Sequence, residues 1–104
     1  MDEYSIPDPA DLVEESKGFL DYPRINDKTD DWDEFYTKKH KHFKEMMESK
    51  NAYLKKLRTL WRKMPANADA RELAKVRACC NILSWQVKKI RGMIYRIPSY
   101  EETE

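Results

Sequence analysis

The stretch from Leu73 to Ile97 constrains the fold more than any other part of the chain. Eight apolar side chains follow one another there in alternating steps of three and four residues. The average step of about 3.5 residues keeps one stripe of an α-helix turned toward a partner helix. A second helix must therefore cover this stripe. The stripe consists of Leu73, Val76, Cys80, Leu83, Val87, Ile90, Ile94 and Ile97.

The second helix is predicted directly upstream, because the chain has neither proline nor glycine between Thr29 and Pro65. Thr29 can cap the free amides of this helix, and the acids that follow suit the positive end of its dipole. Polar His40 and Lys50 interrupt its apolar stripe, and a polar residue in such a stripe usually fixes the register of the pair. The stripe consists of Trp32, Tyr36, Phe43, Met47, Leu54, Leu57, Trp61 and Met64.

A short connection joins the two helices. Pro65 follows the end of the first helix, and Asp69 with Glu72 has the spacing of a capping box at the start of the second. A link this short forces the helices to run antiparallel, with their stripes facing each other. The predicted fold class is therefore all-α: an antiparallel, coiled-coil-like helical hairpin, with helices at about 30–64 and 70–97.

Acidic segments flank this hairpin: a proline-containing arm at residues 1–28 and a tail at residues 98–104. The first 34 residues carry twelve acids and three bases, whereas residues 35–97 carry seventeen bases and four acids. A two-helix hairpin buries little apolar surface by itself. We therefore expect the arm to pack back on the hairpin, the alternative being that a partner completes it. The segregation of charge favours docking of the acidic arm or binding of an external acidic partner. Apart from one or two helical turns within residues 12–20, the arm is expected to be extended or only partly ordered. Tyr22, Pro23 and Ile25 are the expected exception, as an apolar cluster that packs back onto the helix.

The sequence lacks the patterns that enzyme chemistry needs. Only two glycines are present, which excludes a glycine-rich phosphate loop, and no serine, histidine and acid are spaced as a triad. His40 and His42 are two residues apart on a helix and point in different directions, so they do not form a shared metal site. We predict that the chain is not an enzyme and has no catalytic residue, cofactor or metal.

The cysteines and the hydropathy indicate the compartment. Cys79 and Cys80 are adjacent, which is a poor basis for a disulfide, so we expect reduced thiols that partly fill the helix stripe. The expected location is therefore intracellular and reducing. No apolar run approaches the roughly 18 residues that cross a bilayer, so no membrane insertion is predicted.

The order of aromatic and apolar residues over about residues 21–97 resembles the occludin homology domain. This domain is shared by occludin, tricellulin and the ELL family of RNA polymerase II elongation factors. Between Met64 and Cys80 this chain has fifteen residues, where members of the family have several more helical turns. The matching elements are Asp21-Tyr22-Pro23-Arg24-Ile25, Trp32-x3-Tyr36-x6-Phe43-Lys44-Glu45-Met46 and Cys80-x2-Leu83-x3-Val87-x2-Ile90-Arg91-x2-Ile94.

The resemblance implies a protein–protein interaction module. In the ELL case the domain would bind a scaffold segment or helix of a transcription elongation complex, which favours the nucleus. In the occludin and tricellulin case it would dock to tight-junction scaffolds on the cytoplasmic face of a junction. Coiled-coil surfaces also favour self-association. The shortened hairpin tip means that scaffold docking assigned to the tip of the tight-junction proteins does not transfer to this chain.

Trp85 is the leading candidate for partner binding, because it lies off the main stripe and is followed by Lys88 and Lys89. Tryptophan beside basic residues commonly carries binding energy. The alternative is that Trp85 packs against the arm, at Phe19 or Tyr22, and completes a thin core. The other candidates for the partner surface are Ile82, Met93, Arg58 and Arg62.

Nucleic-acid binding is a further alternative. Basic residues line both helices, and such a stripe is typical of proteins that bind phosphate backbones. The charges are nevertheless spread around the helices, and no base-reading motif is present. Binding of this kind would be salt-sensitive and without sequence preference.

Overall fold

The computed structural model describes residues 6–97. Within this range it contains three helices and no strand: α1 at Pro9–Glu15, α2 at Trp32–Lys63 and α3 at Ala70–Arg96. α2 and α3 pack along each other, and α1 lies against α3. The all-α helical hairpin with an arm packed back on it is therefore confirmed. The acidic tail predicted at residues 98–104 lies outside the described residues.

Two buried clusters at opposite ends of the hairpin show that α2 and α3 are antiparallel. In the cluster near the link, Leu57 of α2 and Met64, which follows α2, pack with Val76 of α3. At the other end, Phe43 of α2 packs with Ile90 of α3 and Ile97. Both clusters contain residues from each of the two predicted stripes. The cluster near the link contains Ile6, Leu12, Leu54, Leu57, Met64, Val76, Cys79, Cys80 and Leu83.

Aspartate side chains cap all three helices. The carboxylate of Asp8 accepts a hydrogen bond from the amide of Ala10, at 2.9 Å. A proline occupies the first position of α1, where the fixed φ of proline already matches that of a helix. Asp31, rather than the predicted Thr29, caps α2 by accepting from the amide of Asp33, at 2.9 Å. Asp69 is the N-cap of α3, as predicted, and accepts from the amide of Arg71, at 2.9 Å, rather than from that of Glu72 as in a capping box.

Two tryptophans of the predicted stripe are not in the core. Trp32 is 44% exposed and Trp61 is 41% exposed, so their assignment to the core was wrong. α2 has 32 residues and α3 has 27, so the first turn of α2 extends past α3. Among the described aromatic rings, Trp32 contacts only that of Tyr36, with the ring centroids 5.6 Å apart. Trp61 lies beside Ala70 and Ala74, whose methyl groups are too small to cover an indole.

Gln86 anchors α1 to the hairpin. Its side chain is fully buried on α3 and donates from Nε2 to the hydroxyl of Ser16, at 2.7 Å, and to the carbonyl of Leu12, at 3.4 Å. Leu12 is the buried residue of α1 and belongs to the cluster near the link. The thiol of Cys79 donates to the carbonyl of Pro7, at 3.3 Å, just before α1. The arm is thus held by apolar contacts and by hydrogen bonds to its backbone.

Lys50 ties α2 to α1. This lysine, which interrupts the apolar stripe of α2, forms an ion pair with Glu15, the last residue of α1. Its side chain is only 17% exposed, and burial lowers the pKa of its ammonium group below the ordinary value of 10.5. The acidic arm therefore meets the basic hairpin at a defined pair of residues.

A pair of substitutions on α2 tests which aromatic residues form the core. Phe43→Ala should lower the free energy of unfolding by about 3–5 kcal/mol, because a fully buried ring leaves a cavity. Trp32→Ala should lower it by less than about 1 kcal/mol, because the indole is largely solvated. Urea denaturation followed by circular dichroism measures both. Equal losses in the two variants would contradict the assignment.

Candidate functional site

An exposed apolar groove lies between α1 and α3. Val13 of α1 forms one wall, Ile82 and Trp85 of α3 form the other, and Ser16 and Asn81 complete the lining. Its volume is about 340 Å³. Val13 is 52% exposed and Trp85 is 46% exposed, although both are large apolar side chains. We refer to these five residues as the apolar groove.

A second depression lies one to two helical turns further along α3, and its lining is basic. It contains three cations and no carboxylate, and its volume is about 390 Å³. None of the three cations forms an ion pair with another described residue. We refer to this lining as the basic depression: Leu20, Lys88, Lys89, Gly92, Met93 and Arg96.

Trp85 lies between the two depressions. One side of its indole packs against Phe19, with ring centroids 5.7 Å apart, and the ammonium group of Lys89 lies 5.7 Å from the ring centroid. The contact with the arm predicted for Trp85 is therefore made by Phe19. Tyr22 packs instead on the start of α2, with its ring centroid 5.7 Å from that of Phe35. The contact with Phe19 leaves nearly half of Trp85 exposed.

The structure brings together five of the seven candidate residues for partner binding. Ile82 and Trp85 line the apolar groove, and Lys88, Lys89 and Met93 line the basic depression. Arg58 and Arg62 line neither of these two depressions and are exposed on α2. The positive charge of Arg58 lowers the pKa of the Cys80 thiol, but burial raises this pKa by more.

The sequence analysis missed the contribution of the arm to this surface. Val13, Ser16 and Leu20 belong to the arm, and spacing along the chain does not reveal where an arm docks. Arg96 was also missed, although a signal was present. Arg96 lies eleven residues after Trp85, which is close to three full helical turns and places both on the same face of α3.

The histidines and cysteines lie in unrelated surroundings. Within residues 6–97, no group of three or more His, Cys, Asp or Glu side chains is placed to hold a metal ion. The ring of His42 packs against Tyr22 and Phe43, with centroids 5.2 and 4.9 Å away. Cys79 and Cys80 are free thiols buried in α3.

Burial governs the chemistry of the two thiols. It raises the pKa of both Cys79 and Cys80 above the ordinary value of 9.0. The reactive thiolate is therefore disfavoured in the folded chain. Both side chains are buried in the cluster near the link, where they pack as small apolar groups.

Comparison with known proteins finds no family model, curated protein or solved structure that matches this chain. The likeness to the occludin homology domain therefore stays a prediction from the sequence. None of the helices between residues 6 and 97 is both long enough and apolar enough to span a bilayer.

The two thiols predict how stability depends on pH. Above about pH 9 the unfolded chain loses the thiol protons while the folded chain keeps them, so the unfolded state binds fewer protons. The free energy of unfolding should be insensitive to these groups below pH 9 and fall as the pH rises above it. Urea denaturation at several pH values measures this.

The matched control is the Cys79→Ala/Cys80→Ala variant. Its unfolding free energy should fall less steeply above pH 9 than that of the wild type. Lys50, whose lowered pKa acts with the opposite sign, is present in both proteins and cancels in the comparison. Parallel pH profiles for the two proteins would contradict the prediction.

Proposed function

We propose that this chain is a non-enzymatic protein-interaction module that binds its partner at the face of α3 around Trp85. The observation that carries the proposal is the half-exposed indole of Trp85 beside the equally exposed side chain of Val13. Large apolar side chains grouped around a groove lose unfavourable contact with water when a partner covers them. Tryptophan is also among the residues that most often dominate the energy of protein interfaces.

The charges around this face support a protein partner of defined orientation. Lys88, Lys89 and Arg96 form the polar side of the site, next to its apolar side. An apolar centre with a polar rim is the usual organisation of a protein–protein interface. The apolar part would supply the binding energy, and the charged part would select and orient the partner.

The partner we propose is a scaffold of an RNA polymerase II transcription elongation complex, as for an ELL-type domain in the nucleus. The support for this identity is the order of sequence elements shared with the occludin homology domain. The alternative is docking to tight-junction scaffolds, as for occludin and tricellulin at the cytoplasmic face. The hairpin link at residues 64–69 is short here, so a site placed at a long tip is less suited to this chain than one on the side of α3.

Non-specific nucleic-acid binding is a second candidate function. The observation that favours it is the basic depression, whose three cations have no acidic partner among the described residues. Phosphate binding would depend strongly on salt and would tolerate any sequence. It would leave the apolar groove without a role, which is why we rank it below a protein partner.

Affinity capture from nuclear and cytoplasmic extracts tests the proposed function. The tagged wild-type chain should retain a protein partner, and Trp85→Ala should reduce the retained amount roughly tenfold or more, as expected for a residue that dominates an interface. Tyr95→Ala is the matched control, because Tyr95 is an aromatic residue of α3 that is 82% exposed and lines neither depression. Circular dichroism checks that both variants keep their helices.

The identity of the captured protein decides between the alternatives. Elongation-complex scaffolds that are lost with Trp85→Ala support the ELL-type proposal, and junctional scaffolds support the occludin type. If every captured protein is retained equally by wild type and Trp85→Ala, the proposed function is overturned. Capture of nucleic acid alone, released by moderate salt, would establish the second candidate instead.

A further inference from the structure

We propose that the partner docks through an acidic amphipathic segment whose apolar side chains enter the apolar groove while its carboxylates face the basic depression. This inference rests on the proposed function, because it names the chemistry of the partner for the same face of α3. It follows from the contrast between two adjacent depressions, one apolar and one basic. Trp85 connects them, because it lines the apolar groove and its ring contacts Lys89 of the basic depression.

The apolar half of the site requires an apolar side chain. Val13, Ile82 and Trp85 face the groove, and no charged residue lines it. A polar or charged side chain placed there would lose hydration without a charged partner in return. Leucine, phenylalanine or another large apolar residue would instead gain the free energy of covering exposed apolar surface.

The basic half requires negative charge. Lys88, Lys89 and Arg96 surround the depression, and none of them has an acidic partner among residues 6–97. A partner with basic side chains here would meet like charges, which opposes binding. A partner with carboxylates would form ion pairs at the rim of the interface and associate faster at low salt.

Gly92 at the floor of the basic depression supports close approach of a partner backbone. A Cβ placed on Gly92 would meet nothing within 4 Å, so packing inside the chain does not require glycine at this position of α3. Glycine inside a helix is destabilising relative to alanine, because it loses more conformational freedom on folding. The missing side chain leaves room for another chain beside the cations.

The two halves fit one short segment. Ile82 and Arg96 are fourteen residues apart on α3, a distance of about 21 Å at the rise of an α-helix. A helical segment of about 14 residues, or an extended one of about seven, spans this distance. The apolar anchors and the acids of the partner therefore belong to one continuous stretch of chain.

The test is a selection that makes no assumption about the sequence of the partner. A display library of random 14-residue segments is selected on the wild-type chain, with Trp85→Ala used to remove segments that bind elsewhere. The expected result is enrichment of segments that combine large apolar residues with aspartate or glutamate. Segments that depend on Trp85 but are neutral or basic would overturn this inference and leave the proposed function standing. Failure to select any Trp85-dependent segment would overturn both.

Charge reversal on a selected peptide then gives the decisive comparison. By fluorescence anisotropy, Lys88→Glu/Lys89→Glu should weaken binding roughly tenfold or more, because both ion-pair partners become repulsive. Lys55→Glu/Lys56→Glu is the matched control, since it reverses an exposed adjacent pair on α2 outside both depressions, and it should change the affinity less than about twofold. Equal effects of the two reversals would overturn the inference, because they would indicate attraction to net charge alone.

Three further arms test the close approach of the partner backbone and exclude other occupants of this face. Gly92→Ala should raise the stability of the chain yet weaken binding of the peptide, and unchanged binding would remove the argument for close backbone approach. Sedimentation of the free chain should show a monomer, since a dimer that Trp85→Ala dissolves would mean that a second copy covers this face. Single-stranded DNA that displaces the peptide at equal concentration would likewise overturn the acidic-peptide inference.

Discussion

Docking of α1 on the hairpin is the interaction on which the rest of this structure depends. Two antiparallel helices bury only one stripe each, and α1 adds the apolar contacts of Leu12 to the cluster near the link. The buried amide of Gln86 holds the last turn of α1 through Ser16 and the backbone of Leu12. Its Oε1 atom is buried and has no partner among the described residues, so this anchor retains part of its desolvation cost.

The same docking creates the candidate site. With α1 seated beside α3, Val13 faces Ile82 and Trp85 across a groove, and the turn after α1 brings Phe19 onto the indole. The arm therefore covers one side of Trp85 and leaves the other open. α1 ends at Glu15, which pairs with Lys50 of α2. Trp85 therefore stays 46% exposed although the arm contacts it.

Charge segregation along the chain gives this face its polarity. The arm supplies Glu15 to the hairpin, and the cations of the basic depression meet no carboxylate among the described residues. Among the described residues, the ion pair between the arm and the hairpin is that of Glu15 with Lys50, where burial makes an unpaired ammonium group costly. The cations near Trp85 stay solvated and are free to contact an external acidic group. The lysine that pairs with the arm and the cations that we propose for recognition are therefore different members of the same basic surface.

The sequence by itself determined the fold class, because the alternating three- and four-residue spacing of α3 and the proline-free stretch of α2 permit one antiparallel pairing across a short link. It also placed Trp85, Lys88 and Lys89 on a common face, since helical periodicity fixes that. The tertiary structure alone decided that Trp32 and Trp61 are exposed, because burial depends on what lies opposite on α3. It also decided where the arm docks, since contacts between residues seventy positions apart, such as those of Gln86 with Ser16, leave no periodic signal in the sequence.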